Sequence, residues 1–172
     1  MVLRLDRYHA NLPYPQVNRV HEDKELITYL IQPYSGENSE LKTVMQYAYH
    51  SLCCKEKYRE VSQMMRGIFY IETMHLELIG DVIIKLGGNP QYVLSLQHHQ
   101  IAWQSSVIDY ETHPEQMLLA DIEGEKGSAA FYQQASEIVE QADIARLLAR
   151  LALDEQLHHR MLTDLYGRLF HL

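Results

Sequence analysis

The sequence predicts an all-α fold: an antiparallel four-helix bundle over residues 36–172, with a long crossover between its second and third helices and an irregular N-terminal arm over 1–35. Three observations predict it. Apolar residues recur at intervals of three and four in four long stretches. No stretch alternates with period two for long enough to read as a strand. About 25 residues between the second and third stretches carry no period, and a crossover between two helix pairs is the connection that tolerates such a length.

The arm is broken by Pro13, Pro15 and Pro33 and interleaved with Tyr8, Tyr14 and Tyr34. Its aromatic and aliphatic content predicts a segment lying over the core or over a partner subunit, with a short helix around Glu22–Ile31. The first bundle helix runs from Gly36 to about Cys54, with Leu41, Val44, Met45, Ala48 and Leu52 as its stripe. The second runs from about Glu56 to Leu86 and stops at Gly87-Gly88, with Pro90 beyond. Residues 88–112 form the crossover, and Trp103 at its middle anchors it to the bundle. Thr112-His113-Pro114-Glu115 opens the third helix, Thr and Glu spaced as a capping box and Pro suited to a first turn. That helix ends near Val139. Asp143 is the expected N-cap of a fourth helix, which ends near Gly167.

At 172 residues the chain has the length of one domain and buries about two-thirds of its unfolded surface without a disulfide. Its net charge of −8 argues against nucleic acid or an anionic membrane as partner. The two cysteines, Cys53 and Cys54, exclude a disulfide framework and a four-cysteine metal site within one chain. Adjacent cysteines rarely pair, so the reducing cytoplasm is the expected setting, and no apolar leader and no run of about 18 apolar residues occur.

The chemistry lies in a repeat. The first helix pair carries Glu40, Tyr47, Glu72 and His75; the second carries Glu125, Tyr132, Glu155 and His158. Glu precedes Tyr by seven residues in both halves, and Glu precedes His by three in both. These positions fall on or beside stripes that face the core. A carboxylate buried alone costs several kcal/mol, and four together repel and partly protonate. Two divalent cations cancel the four charges. Glu-x-x-His sets an oxygen and an imidazole nitrogen on one helical face. Two such pairs, with one Glu from each remaining helix, make a di-metal carboxylate site in a bundle. The donors suit two Fe ions or two Mn ions, with Zn as a possible substitute. Tyr47 and Tyr132 lie two turns from their glutamates, placed to bond the ligands of the opposite half.

Ser39-Glu40-Leu41 with Gln46-Tyr47, Glu72-Thr-Met-His75-Leu-Glu77, Glu125-Lys126 with Phe131-Tyr132, and Asp154-Glu155-Gln-Leu-His158 together resemble the ferritin-like superfamily. The likeness is to its rubrerythrin and manganese-catalase branches and to short bacterial proteins without a rubredoxin tail. It spans residues 37–165. It implies that Glu40, Glu72, His75, Glu125, Glu155 and His158 bind the metals, with Glu72 and Glu155 bridging. Three departures matter. Rubrerythrins carry a four-cysteine rubredoxin domain that delivers electrons, and this chain has two cysteines. Their extra glutamate three residues after the third-helix ligand is Ser128 here. Ferritin cages add a fifth helix, and only Arg168–Leu172 follow Gly167. A 24-subunit store is therefore not expected.

Other residues have plainer readings. His159 faces away from the His75–His158 side and is expected to be exposed, as is Glu77. Asp121 fits the outer shell of the centre and the surface equally well. His98-His99 reads as a solvated loop pair, Cys53-Cys54 as packing, and Met64, Met65 and Met74 as core. The expectation is an oxidoreductase in which Glu72, Glu155, Tyr47 and Tyr132 serve turnover of hydrogen peroxide or dioxygen, of peroxidase, catalase or ferroxidase type. It would draw on an external electron donor and act as a homodimer. The alternatives are a metal-buffering protein and a bundle with a vestigial site.

Overall fold

The computed structural model describes residues 4–96 and 99–170. Five α-helices and one small hairpin follow a 3-10 turn at Leu5–Arg7: α1 (Lys24–Ser35), α2 (Glu40–Cys54), α3 (Arg59–Lys85), β1 (Val93–Leu96), β2 (His99–Ala102), α4 (Pro114–Ile138) and α5 (Ala142–Phe170). α2–α5 form the antiparallel ferritin-like bundle as two hairpins, α2 against α3 and α4 against α5. α1 lies outside it against α2, α3 and β1. Among the described residues no helix is long and apolar enough to cross a membrane.

The arm is more ordered than its prolines suggest. Asp23 caps α1 by accepting from the Leu26 N–H at 2.9 Å. The helix then runs through Pro33 to Ser35, beyond the expected end at Ile31. Pro33 sits in the last turn, where its missing N–H removes a single helical bond, and Gly36 still donates to Gln32 O. Residues 8–21 follow the bundle without regular structure.

Ser39 caps α2 by accepting from Lys42 N–H. The stripe of this helix is rotated from the expected one. Met45 and Leu52 are 44% and 64% exposed, while Glu40, Gln46, Tyr47, His50 and Ser51 are buried with Leu41 and Val44. Polar side chains with specific partners take the interior places that apolar periodicity assigned to Met45 and Leu52. Met74 is likewise 37% exposed rather than core, whereas Met65 is fully buried. α3 ends in a Schellman turn: Gly87 adopts φ +88°, Gly87 N–H donates to Ile84 O and Gly88 N–H to Ile83 O.

The crossover contains the strands that the sequence reading did not expect. β1 and β2 pair antiparallel, Val93 opposite Ala102 and Leu94 opposite Ile101. Ser35 Oγ fastens β1 to α1, donating to Val93 O at 2.9 Å and accepting from Val93 N–H at 3.1 Å. Trp103 packs half-buried on the core, as its anchoring role requires. His98 lies outside the described residues; His99 is exposed in β2. The capping box at Thr112 does not form. His113 is the N-cap of α4, and the Glu111 carboxylate takes the N–H groups of Thr112 and His113 instead. Asp143 is not an N-cap either. It lies inside α5 and accepts from the Asn18 and Arg19 N–H groups at 3.0 and 2.9 Å, binding the arm.

Two apolar clusters fill the bundle. One holds Leu76, Ile79, Ile83, Leu148 and Leu151; the other holds Ile68, Ile71, Ile122 and Leu162. On α3, Glu72 and His75 fall between the clusters; on α5, Glu155 and His158 do the same. Each fully buried Ile or Leu in these layers contributes about 1.5–3 kcal/mol, which offsets a polar belt at mid-bundle.

Candidate metal centre

The six expected ligands meet in that belt. Glu40 comes from α2, Glu72 and His75 from α3, Glu125 from α4, and Glu155 and His158 from α5. None is more than 3% exposed. They form two overlapping groups, Glu40-Glu72-His75-Glu155 and Glu72-Glu125-Glu155-His158, whose candidate ligand atoms all lie within 4.8 Å of one another in each group. Glu72 and Glu155 belong to both.

The shared residues divide their oxygens. Glu72 Oε1 lies 2.7 Å from His158 Nδ1 and Oε2 lies 3.3 Å from His75 Nδ1. Glu155 Oε1 lies 2.9 Å from His75 Nδ1 and Oε2 lies 4.0 Å from His158 Nδ1. Glu40 approaches His75 alone, at 3.8 Å, and Glu125 approaches His158 alone, at 3.5 Å. These contacts are close, but both Glu72 oxygens, Glu125 Oε2, Glu155 Oε1 and both Nδ1 atoms lack a hydrogen-bond partner. A buried polar atom without a partner costs about 1–3 kcal/mol, and more when charged. Six such atoms converging from three helices, with Glu40 beside them from α2, fit a pair of cations.

The outer ring edges fix which nitrogen faces inward. His158 Nε2 donates to Tyr8 O at 2.7 Å, and a carbonyl only accepts, so the proton sits on Nε2. His75 Nε2 lies 3.0 Å from Asp154 Oδ2. In both rings Nδ1 is thereby the nitrogen turned to the carboxylates, the one a metal would take.

Tyr47 donates to Glu125 Oε1 and Tyr132 to Glu40 Oε1, so each tyrosine reaches the glutamate of the opposite half. Burial, then the carboxylates nearby, hold both phenols well above the usual tyrosine range, and they keep their protons. In the metal-free site, burial and Glu72 push the Glu40 and Glu155 carboxyls well upward. Burial disfavours charge on His75 and His158, but Glu72 and the other carboxylates outweigh it and raise both.

Two further residues, Asp154 and His50, carry no signal in the repeat. Asp154 is buried and accepts from Tyr14 Oη at 2.6 Å and Ala10 N–H at 2.5 Å, and it pairs with Arg150 at 2.7 Å. Burial pushes its carboxyl up, but the bonds from His75, Tyr14 and Ala10 bring it down to about 2. Its signal in the sequence was adjacency: a residue beside Glu155 points one helical step away, toward His75. Asp121, whose place the sequence left open, is buried beside His50. His50 Nδ1 lies 2.9 Å from Asp121 Oδ2 and Nε2 lies 3.0 Å from Asp109 O. Both ring nitrogens face acceptors, so His50 bears both protons; burial opposes its charge, but Asp121 and Asp109 raise it. Glu77 is exposed as expected, and His159 is half-buried rather than exposed. Cys54 is buried and Cys53 exposed, and both are free thiols.

A cavity of ≈ 860 Å³ is lined by Glu40 and Tyr132 and by Phe131, Gly124, Gly127 and Ser128 on α4. No neighbouring atom lies within 4 Å of where a Cβ would stand at Gly124 or Gly127, so this wall stays open.

Fold and site together define a ferritin-like bundle with a buried, pairwise-repeated carboxylate–histidine centre. The chain belongs to the Rubrerythrin family, whose model matches residues 30–166. None of the curated proteins matches this sequence. Among solved structures it is similar to KatB, a manganese catalase from Anabaena, at 21% identity and a TM-score of 0.79, over 94% of this chain and 80% of that one. It is also similar to the Desulfovibrio desulfuricans bacterioferritin, a protein with a diiron site, at 23% identity and a TM-score of 0.67, over 86% of this chain and 81% of that one. At these identities the likeness is one of fold.

Proposed function

We propose that the protein is a di-metal carboxylate oxidoreductase acting on hydrogen peroxide or dioxygen. The observation that carries the reading is the division of Glu72 and Glu155 between two ligand groups, with inward atoms that have no other partner. Glu40 and His75 would hold one ion, Glu125 and His158 the other, with Glu72 and Glu155 bridging. Oxygen-rich donors with one imidazole per ion suit Fe or Mn, and Zn as a substitute. When bound, the ions supply one electron each and Lewis acidity toward an O–O bond.

The chain's own groups do the rest. Tyr47 and Tyr132 hold one oxygen of Glu125 and of Glu40, leaving the other oxygen of each free to ligate. Asp154 and the Tyr8 carbonyl keep the two imidazoles turned inward. The cavity beside Tyr132 gives a small oxidant a route to Glu40. Catalase-type dismutation, two peroxides to dioxygen and two waters, is self-balanced. Peroxidase turnover needs an external two-electron donor.

The test is elemental analysis of protein purified without a histidine tag or chelator, followed by peroxide consumption with and without a supplied reductant. About two Fe or Mn per chain is expected, with metal and turnover lost in Glu72→Ala. Metal retained without turnover would point to a buffering role. No metal taken up anaerobically would sink both.

A further inference from the structure

The N-terminal segment runs antiparallel to α5 and meets it at each step. Tyr8 O faces His158, Ala10 N–H faces Asp154, Arg150 donates to Leu12 O at 2.9 Å and Ala10 O at 2.8 Å, and His21 N–H reaches Gln141 at 3.1 Å. On the other side it rests on α3. The Tyr8 hydroxyl donates to Gln63 O at 3.4 Å, and Lys85 Nζ donates to Val17 O at 2.8 Å. The Tyr8 ring lies so close over Gly67 that a Cβ there would overlap it. The segment therefore crosses the backs of both ligand histidines, His75 on α3 and His158 on α5.

Its contacts reach the histidines themselves. His158 Nε2 has Tyr8 O as its outer partner. Asp154, the outer partner of His75, is held on three sides by the Tyr14 hydroxyl, the Ala10 N–H and Arg150, whose guanidinium also covers the Tyr14 ring at 4.5 Å. Were the segment to leave, His158 Nε2 would lose its acceptor, and Asp154 would lose two of its donors and face water.

We propose that residues 8–21 are the outer wall of the metal centre, and that their docking and metal binding are coupled. Tyr8, Ala10 and Tyr14 are positioning residues: they turn the two Nδ1 atoms inward and hold them there. Coupling of this kind is reciprocal, so bound metal tightens the segment as much as the docked segment tightens the metal. This inference rests on the metal centre proposed above. It adds that the centre is completed by a stretch of chain outside the four bundle helices, acting largely through backbone groups.

The experiment is hydrogen–deuterium exchange on the full chain with and without Mn²⁺, with Mn²⁺ content and affinity measured in parallel by chelator competition. Exchange over residues 8–16 is expected to slow at least tenfold on loading. Gly67→Ala displaces the Tyr8 ring without touching a ligand, and alanine favours the helix that carries it. This variant is expected to exchange faster over 8–16 and to bind Mn²⁺ about tenfold more weakly, at the low end of effects from outer partners of metal ligands. Equal exchange with and without bound Mn²⁺ overturns the coupling and leaves the metal centre standing. So does unchanged affinity in a Gly67→Ala protein whose segment has loosened. A wild-type chain that binds no Mn²⁺ or Fe²⁺ overturns both readings.

Discussion

Replacing Glu72 by Gln keeps the volume and the helix but removes the charge that both ligand groups share. The effect is worked from mass action. A ligand held at a hundred times its Kd stabilises the native state by about 2.7 kcal/mol, so two ions contribute about 5 kcal/mol. Unfolding entropy scales with length, and for 172 residues it is about 0.36 kcal/mol/K near the transition. Wild-type Tm should therefore rise by about 15 °C when Mn²⁺ or anaerobic Fe²⁺ is added. If Glu72→Gln weakens both ions a hundredfold, the same metal concentration only half-fills the sites, and the rise shrinks to about 2 °C. The assay is differential scanning calorimetry of metal-free and loaded protein, each variant against its own metal-free baseline. An undiminished rise of about 15 °C in the variant would refute the shared-ligand geometry, because the stabilising ions would then sit elsewhere.

Tyr132→Phe removes the donor to Glu40 Oε1. It should weaken metal binding about tenfold and cost about 1–3 kcal/mol in the metal-free protein, read by chelator competition and urea unfolding. His50→Ala leaves Asp121 buried without its cation and should cost about 3–5 kcal/mol in urea. The raised His50 also sets a pH dependence. Its stabilisation is complete below its ordinary value of 6.5 and declines as pH rises through the raised one, so the wild type should lose stability as pH climbs past 6.5 while His50→Ala lacks that component. Cys54 lies against Met117 with its thiol pushed up to about 11 by burial. Maleimide at neutral pH should label Cys53 alone in the native protein and both thiols in urea, counted by mass spectrometry.

The bundle helices were legible because each repeats its apolar period over several turns. The centre was legible because the same polar spacing occurs twice, which a surface pair does not do. What escaped had weaker or no signals. Strands of four residues, Val93–Leu96 and His99–Ala102, are too short for alternation to register. The stripe of α2 was misread because His50 and Gln46 are interior by virtue of partners on other elements. His50 itself breaks the repeat: the equivalent place in the second half is Ala135. The partners of His75 and His158 escaped for a different reason. A backbone carbonyl at Tyr8 and a backbone N–H at Ala10 leave no trace in residue type.

The crossed tyrosine–glutamate bonds bear on the order in which the molecule can assemble. Tyr47 and Glu125 are 78 residues apart and Tyr132 and Glu40 are 92 apart, whereas each helix hairpin closes over a short link. Either hairpin can collapse by itself, but it then holds one Glu-x-x-His, one unbonded tyrosine and one unbonded glutamate. Neither can finish its own half of the centre. The centre is a product of tertiary closure, formed when the two hairpins meet and not before. Separately expressed halves, 1–88 and 112–172, would recover metal binding only on mixing, and cations would report their reunion.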